Sequence, residues 1–281
     1  MLRFTTLGSG SAGNAALVED GRTRLLLDAG LSGKQIRLRL EALGVAPASL
    51  DGILLTHEHV DHCGALAVFC KKFEVPIVCN TLTAEVLKRD SLPAYNNWRI
   101  FRTGQEFSIG TIAIESFSVP HDAVDPVGFL LHSGQGALGV LTDMGYATKL
   151  ALDCVRQAHT LLIETNHDEK LLQEDSKRPW SVKQRILSRH GHLSNRSAAE
   201  VGRQLAEAGD IRRFVLGHLS RDCNSPELAH SAFCEVLGLN PSNTNGTEIF
   251  CATQKECSPT FAVGETETTR VEERFVQASL F

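Results

Sequence analysis

Short apolar runs alternate with helix-period stretches through most of the chain. LRFTTL, AALVE and TRLLLD, near the start, read as strands. Ser32 stands where a helix cap belongs, so a helix is predicted over Gly33–Leu43 with Gly44 as its stop. DGILLT is a buried-type strand ending at His57; a helix is expected over 62–72 and a strand at PIVC. TIAIESF alternates like a half-buried strand and runs out toward His121. VGFLL and ALGVLT follow as strands, the second running into Asp143. A helix over 147–157, the strand TLLIE and a polar stretch through 196 come next. A helix after Ser194, the strand RFVLG, a helix after Pro226 and a late strand IFCA close the pattern. This alternation predicts an α/β fold. The core pattern fades from Gly264 onward, so one domain is expected over 1–263 and a tail over 264–281.

Composition narrows the class. Of 281 residues, 42% are hydrophobic, enough to build a sizeable core. A net charge of −5 argues against a general polycation and leaves local basic patches open. No apolar run reaches the roughly 18 residues that a membrane span needs. MLRFTTLGSGSAGN reads as a strand entering a glycine-rich turn, not as a signal peptide. The eight cysteines are scattered without a CxxC pair, which points to reduced thiols and a cytoplasmic setting.

The strongest chemical signal is THEHVDHCG, Thr56 to Gly64. It places His57, His59, Asp61 and His62 in one loop just after an apolar strand. Imidazole and carboxylate together suit zinc, and also manganese or iron. A single histidine is an ordinary residue; this spacing is a metal-site pattern.

THEHVDH after DGILLT, with LLLDAG upstream, resembles the metallo-β-lactamase superfamily. That resemblance implies a four-layer αβ/βα sandwich with two divalent metal ions at one edge. Residue by residue, it implies one ion on His57, His59 and His121 and another on Asp61, His62 and His218, with Asp143 bridging them. Asp28 matches a carboxylate that supports a ligand without touching the metal. Such a pair of ions lowers the pKa of a bound water and clamps displaced oxygens. Asp61 is then expected to orient or deprotonate that water. LGSGSAGN, DAGLSGKQIRLRL, ETNHD, GHLSN and the HLS at the last ligand resemble the YycJ (WalJ) family within the superfamily. This second resemblance implies a metal-dependent 5′→3′ exonuclease acting on DNA. One departure is HLSRDCNSPE, where Cys223 precedes Asn224 in place of an expected asparagine pair.

Substrate is a separate question, since the superfamily also cleaves lactams, thioesters and lactones. GHLSN resembles the element of RNase Z-like nucleases whose histidine assists at the scissile phosphate. That makes His192 a phosphate contact or general acid, against the plainer role of a helix cap. Residues 176–199 carry Lys177, Arg178, Lys183, Arg185, Arg189 and Arg196 with no acidic residue. They are expected to line a nucleic-acid groove, with Arg185 and Arg189 as contacts, or to form a solvated helix face. Ser9, Ser11 and Asn14 stand in a glycine-rich turn that can hold an anion or merely connect two strands. Glu164 could orient His192, and His167 could reach the site. The alternative to a nuclease is a small-molecule hydrolase: a thioesterase, lactonase or cyclic phosphodiesterase.

QASLF, at the end of the polar tail, resembles the Q-x-x-L-F segment by which bacterial DNA-processing proteins bind the sliding clamp. Leu280 and Phe281 would fill an apolar pocket and the Gln277 amide would fix register.

Overall fold

The computed structural model describes residues 1–240 and 244–264. Two sheets of seven strands each pack face to face. In the first sheet are β1 (Arg3–Gly8), β2 (Ala15–Glu19), β3 (Arg24–Leu27), β4 (Gly52–Leu54), β5 (Ile77–Asn80) and β6 (Trp98–Phe101). The second holds β7 (Glu106–Ile109), β8 (Ile112–Ser118), β9 (Val127–Ser133), β10 (Gly136–Leu141), β11 (Thr160–Glu164), β12 (Arg213–Gly217) and β13 (Glu248–Cys251). A short β14 (Phe261–Ala262) returns to the first sheet beside β1. From β3 to β6 and from β10 to β13 the strands run parallel.

Side-chain alternation sorts the core into three slabs. On β3, Leu25 and Leu27 enter the space between the sheets, while Leu26 faces outward toward helices. On β10, Leu138 and Val140 point inward and Leu141 outward. Helices α1 (Gly33–Ala42), α2 (Val60–Cys63), α3 (Leu66–Phe73) and α4 (Thr81–Asp90) belong to the first sheet's half of the chain. The second half contributes α5 (Lys149–Val155), α6 (Glu169–Glu174), α7 (Trp180–Ile186), α8 (Asn195–Ala208) and α9 (Pro226–Leu237). The result is a four-layer αβ/βα sandwich. Each fully buried Leu or Phe contributes about 1.5–3 kcal/mol through lost apolar exposure. Close packing of α8 on α9 depends on Gly202, where a Cβ would come 2.8 Å from the Phe233 ring. Among the described residues no helix is long and apolar enough to cross a membrane.

Most sequence-predicted elements are present, with instructive differences. Ser32 caps α1 through a hydrogen bond from the Gln35 amide. The expected helix over 62–72 is instead two helices, α2 and α3. The Asp61 carbonyl accepts the Asn14 amide, and the Ala65 amide donates to the Ala29 carbonyl. These tertiary bonds replace the one that would have carried the helix across Gly64. The polar stretch before 196 holds α6 and α7, and the strands β6 and β7 had no clear apolar signal. Both strands are sheet edges with largely exposed side chains, so little hydrophobic patterning is required of them.

At the end of the sandwich away from the catalytic loops, Asp20 joins the sheets. Its carboxylate accepts from the Thr111 hydroxyl at 2.5 Å, the Ser133 hydroxyl at 2.7 Å, and the amides of Arg22 and Thr23. Partial burial works to raise the pKa of this carboxyl. The hydrogen bonds outweigh it and hold the group well below its ordinary value. The stabilisation is therefore present above the unfolded-state pKa of about 3.9. It is lost as pH falls through the lower folded value. We expect Asp20→Ala to lower unfolding stability by about 1–3 kcal/mol at neutral pH. Urea denaturation should show the deficit against wild type shrinking in strong acid.

Candidate metal centre

Several strands end at the same rim of the sandwich and deliver side chains to it. β3 leads into Asp28, β10 into Asp143 two residues on, and β12 directly into His218. These three residues adopt left-handed backbone conformations, with φ of 56°, 51° and 55°. Such angles are uncommon for residues with a side chain and turn it sharply out of the strand direction. The loop after β4 supplies His57 and His59, and α2 supplies Asp61 and His62. His121 comes from the loop after β8, and Glu164 is the last residue of β11.

Two triads of donor atoms result. His57, His59 and His121 form one, and Asp61, His62 and His218 the other; within each, the donors lie within 4.8 Å of one another. In the first, His121 Nε2 and His59 Nδ1 face each other at 3.3 Å. In the second, Asp61 Oδ2 is 3.2 Å from His218 Nε2 and 3.6 Å from His62 Nε2. Asp143 sits between them, with Oδ2 3.1 Å from His62 Nε2 and Oδ1 3.8 Å from His121 Nε2.

Supporting residues fix the tautomers. His62 Nδ1 donates to Asp28 at 2.8 Å. Thr56 Oγ1 lies 3.0 Å from Asp28 and 3.0 Å from His57 Nδ1. A hydroxyl has one proton, so Thr56 donates to Asp28 and accepts from His57. His121 Nδ1 donates to the Gly191 carbonyl at 3.1 Å. In each case the other ring nitrogen, Nε2, is left for a metal. Gly30 makes room for this arrangement, since a Cβ there would come within 1.6 Å of the Asp61 carbonyl oxygen.

Glu164 is fully buried beneath the cluster. It lies 2.6 Å from His192 Nδ1 and 3.0 Å from His218 Nδ1, and accepts the amides of Met144 and Leu193. Burial by itself would raise its pKa, but His192 and His218 bring it down to about 2. Burial and the neighbouring imidazoles hold His57 well below the ordinary histidine value. For His62 and His218 burial acts the same way, yet the carboxylates around them together outweigh it and raise both: Asp143 and Asp28 for His62, and Asp143, Asp61 and Glu164 for His218. A metal must displace those protons to bind, so affinity falls as pH falls.

The residues fit two divalent cations. His57 Nε2 is buried with no hydrogen-bond partner, and buried Asp143 Oδ2 has only the ion-pair contact to His62 Nε2 at 3.1 Å. Unsatisfied buried polar atoms are costly, and a cation at each cluster would satisfy them. Above the cluster lies an open cleft of about 430 Å³, lined by Ser11, Arg178, Arg185, His192 and Ser220 among others.

Other sequence-predicted residues are placed differently. Ser9 and Asn14 are buried and joined at 2.8 Å. Ser9 Oγ accepts the His218 amide, and the Asn14 side chain reaches His62 Nε2 at 3.2 Å. Their turn braces the candidate metal donors His62 and His218, while Ser11 alone of the three lines the cleft. Arg185 reaches the cleft and pairs with Asp122. Arg189 does not line it; its guanidinium stacks 4.5 Å over Tyr146. His167 is buried behind the cleft and neither ring nitrogen has a partner. Asn224, of the departing loop, is tied by its side chain to Asn195 of GHLSN at 2.8 Å. Asn166 and Ser220 line the cleft without having been singled out. Asn166 lies within ETNHD and Ser220 within HLS, and membership of those motifs was the one signal available. Gln277, Leu280 and Phe281 lie outside the described residues.

A sandwich of this type with paired histidine–carboxylate clusters at its strand ends defines a metal-dependent hydrolase. The chain belongs to the metallo-β-lactamase superfamily: the family model of the beta-lactamase superfamily domain matches residues 23–219. Exodeoxyribonuclease WalJ of Streptococcus pneumoniae (strain D39) is 38% identical over 239 residues, covering 84% of this chain and 88% of that protein. Exodeoxyribonuclease YycJ of Bacillus anthracis is 35% identical over 238 residues, covering 84% and 89%. The crystal structure of YhfI from Bacillus subtilis shares the fold, with a TM-score of 0.69 at 17% identity over 92% of this chain and 99% of that one.

Asp28→Asn removes an acceptor that orients ligands in both triads. It should weaken Zn²⁺ affinity about 10- to 100-fold. Competition with a chromogenic chelator would measure this, with circular dichroism reporting an intact fold.

Proposed function

We propose that the chain is a dinuclear-metal phosphodiesterase, and specifically a 5′→3′ exonuclease on DNA. The observation that carries this is His192, pinned by Glu164 at 2.6 Å and lining an open cleft beside the donor clusters. Nδ1 is committed to Glu164, which leaves Nε2 for the substrate. A proton donor is needed there for an alkoxide leaving group, as in a sugar–phosphate chain. Similarity to the two exodeoxyribonucleases supports DNA as the substrate. The open, polar cleft favours it over a small-molecule thioester or lactone, for which an enclosed apolar pocket is the expected host.

His57, His59 and His121 would hold one ion, Asp61, His62 and His218 the other, and Asp143 would bridge them. When bound, two such ions supply a water of lowered pKa and neutralise charge building on the phosphate. Asp61, the more exposed carboxylate of the cluster, orients the attacking water and takes its proton. Water oxygen bonds to phosphorus as the bond to the leaving oxygen breaks, and His192 Nε2 protonates that oxygen. Arg185 and Ser11, both in the cleft wall, contact the substrate's phosphates. Cytoplasmic DNA is the setting consistent with these roles.

The test is metal-reconstituted protein on end-labelled single- and double-stranded DNA and RNA. DNA should shorten from its 5′ end, and His62→Ala should lose about 10³-fold or more. His192→Ala should lose about 10²- to 10⁴-fold on DNA. On bis(p-nitrophenyl) phosphate, whose leaving group needs no proton, it should lose little. Wild-type turnover of a thioester or lactone, with no nucleic acid degraded, would refute the nuclease reading.

We further propose that Gln277, Leu280 and Phe281 dock on a DNA sliding clamp, on the strength of the sequence QASLF. A tether to the clamp would raise the local concentration of the nuclease at DNA. Deleting residues 277–281 should abolish clamp binding in a pull-down with purified clamp while sparing activity on short free oligonucleotides. Unchanged clamp affinity would remove the idea.

A further inference from the structure

Beside the metal cleft lies a second, larger groove of about 680 Å³. The two adjoin, with Ser11 and Ser220 in the walls of both. The groove runs past the carboxyl ends of β12 and β13, where open parallel sheets usually bind ligands. Leu219 and Pro226 supply apolar surface, and Arg221 and Lys255 supply charge.

The dividing ridge is held in place. Gln254 accepts the Ala12 amide at 2.9 Å and donates to the Gly13 carbonyl at 2.7 Å. Both bonds fasten the glycine-rich turn to the chain segment that follows β13.

The distribution of usable charge is what singles out this groove. Half of the basic residues in the stretch next to the cleft are already ion-paired within the protein. Lys177 pairs with Asp222, Arg178 with Asp175 and Asp222, and Arg185 with Asp122. Lys183 is buried and donates to the Gln173 carbonyl. Arg221 and Lys255, by contrast, make no side-chain hydrogen bond or ion pair to any described residue.

We infer that this groove is a binding track for the nucleotides adjoining the scissile phosphate. Arg221 and Lys255 pair with backbone phosphates, and the apolar surface takes the face of an unstacked base. The groove's volume is in the range that holds a small ligand, enough for a nucleotide unit. The track makes the enzyme selective for a polynucleotide strand over a minimal phosphodiester. The inference rests on the phosphodiesterase reading above.

The experiment compares wild type with Arg221→Ala/Lys255→Ala. Binding of a fluorescein-labelled 12-nucleotide single-stranded DNA with hydrolysis-resistant phosphorothioate linkages to the metal-loaded proteins is followed by fluorescence anisotropy across a salt series. Hydrolysis of bis(p-nitrophenyl) phosphate by the metal-loaded proteins runs alongside. The double variant should bind the oligonucleotide about tenfold more weakly, and its salt slope should fall by about 0.7 per lost phosphate contact. Its hydrolysis of the small diester should stay within about twofold of wild type, as it would for intact catalytic machinery. Arg22→Ala/Lys71→Ala, at two positions that line neither depression, removes the same charge and should change neither readout. Wild-type affinity and salt slope in the groove variant would overturn the track while leaving the nuclease reading intact. Failure of the wild type itself to bind any oligonucleotide would overturn both.

Discussion

One carboxylate organises the catalytic edge. Asp28 accepts the His62 imidazole directly and reaches His57 through the Thr56 hydroxyl, so it steers one ligand in each donor triad. It also accepts the Thr56 amide at 2.9 Å, which fixes the start of the histidine-bearing loop. A buried anion is unfavourable unless its lone pairs are occupied. Here those acceptor contacts come from the very groups whose orientation matters. The same contacts that make Asp28 tolerable in the interior are therefore what set the geometry of the candidate metal donors.

That geometry is built on strand ends with unusual backbone angles. Left-handed conformations at Asp28, Asp143 and His218 carry a cost of order 1–3 kcal/mol each. They persist because the strands before them are fully buried and cannot shift. Rigidity of the sandwich is thus converted into precision at its rim. Glu164 plays the matching part in the second half, holding His192 and His218 from below. The two halves meet at Asp143, which belongs by sequence to one sheet and by contact to both triads.

Charge near the cleft illustrates how misleading a local count can be. Residues 176–199 look basic when read in isolation. Folding brings Asp122, Asp175 and Asp222 against them, and salt bridges engage Lys177, Arg178 and Arg185, half of those basic residues. In the glycine-rich turn the same lesson holds for polar groups. Ser9 and Asn14 look available for an anion, yet both are spent on the His218 amide, on each other and on His62.

Much of this protein was legible from its sequence alone. The candidate metal donors cluster in one short segment or follow recognisable strands, because chemistry constrains residue type and spacing together. The strands buried on both faces announce themselves as apolar runs for a similar reason. Edge strands β6 and β7, and helices α6 and α7, carry weak patterns because little of their surface must be apolar. Only the tertiary structure decided which polar groups remain unengaged. That depends on partners far apart in the chain, such as Gln254 reaching Ala12 or Asp122 reaching Arg185. Sequence determines the donors a protein possesses; folding determines which of them are already satisfied.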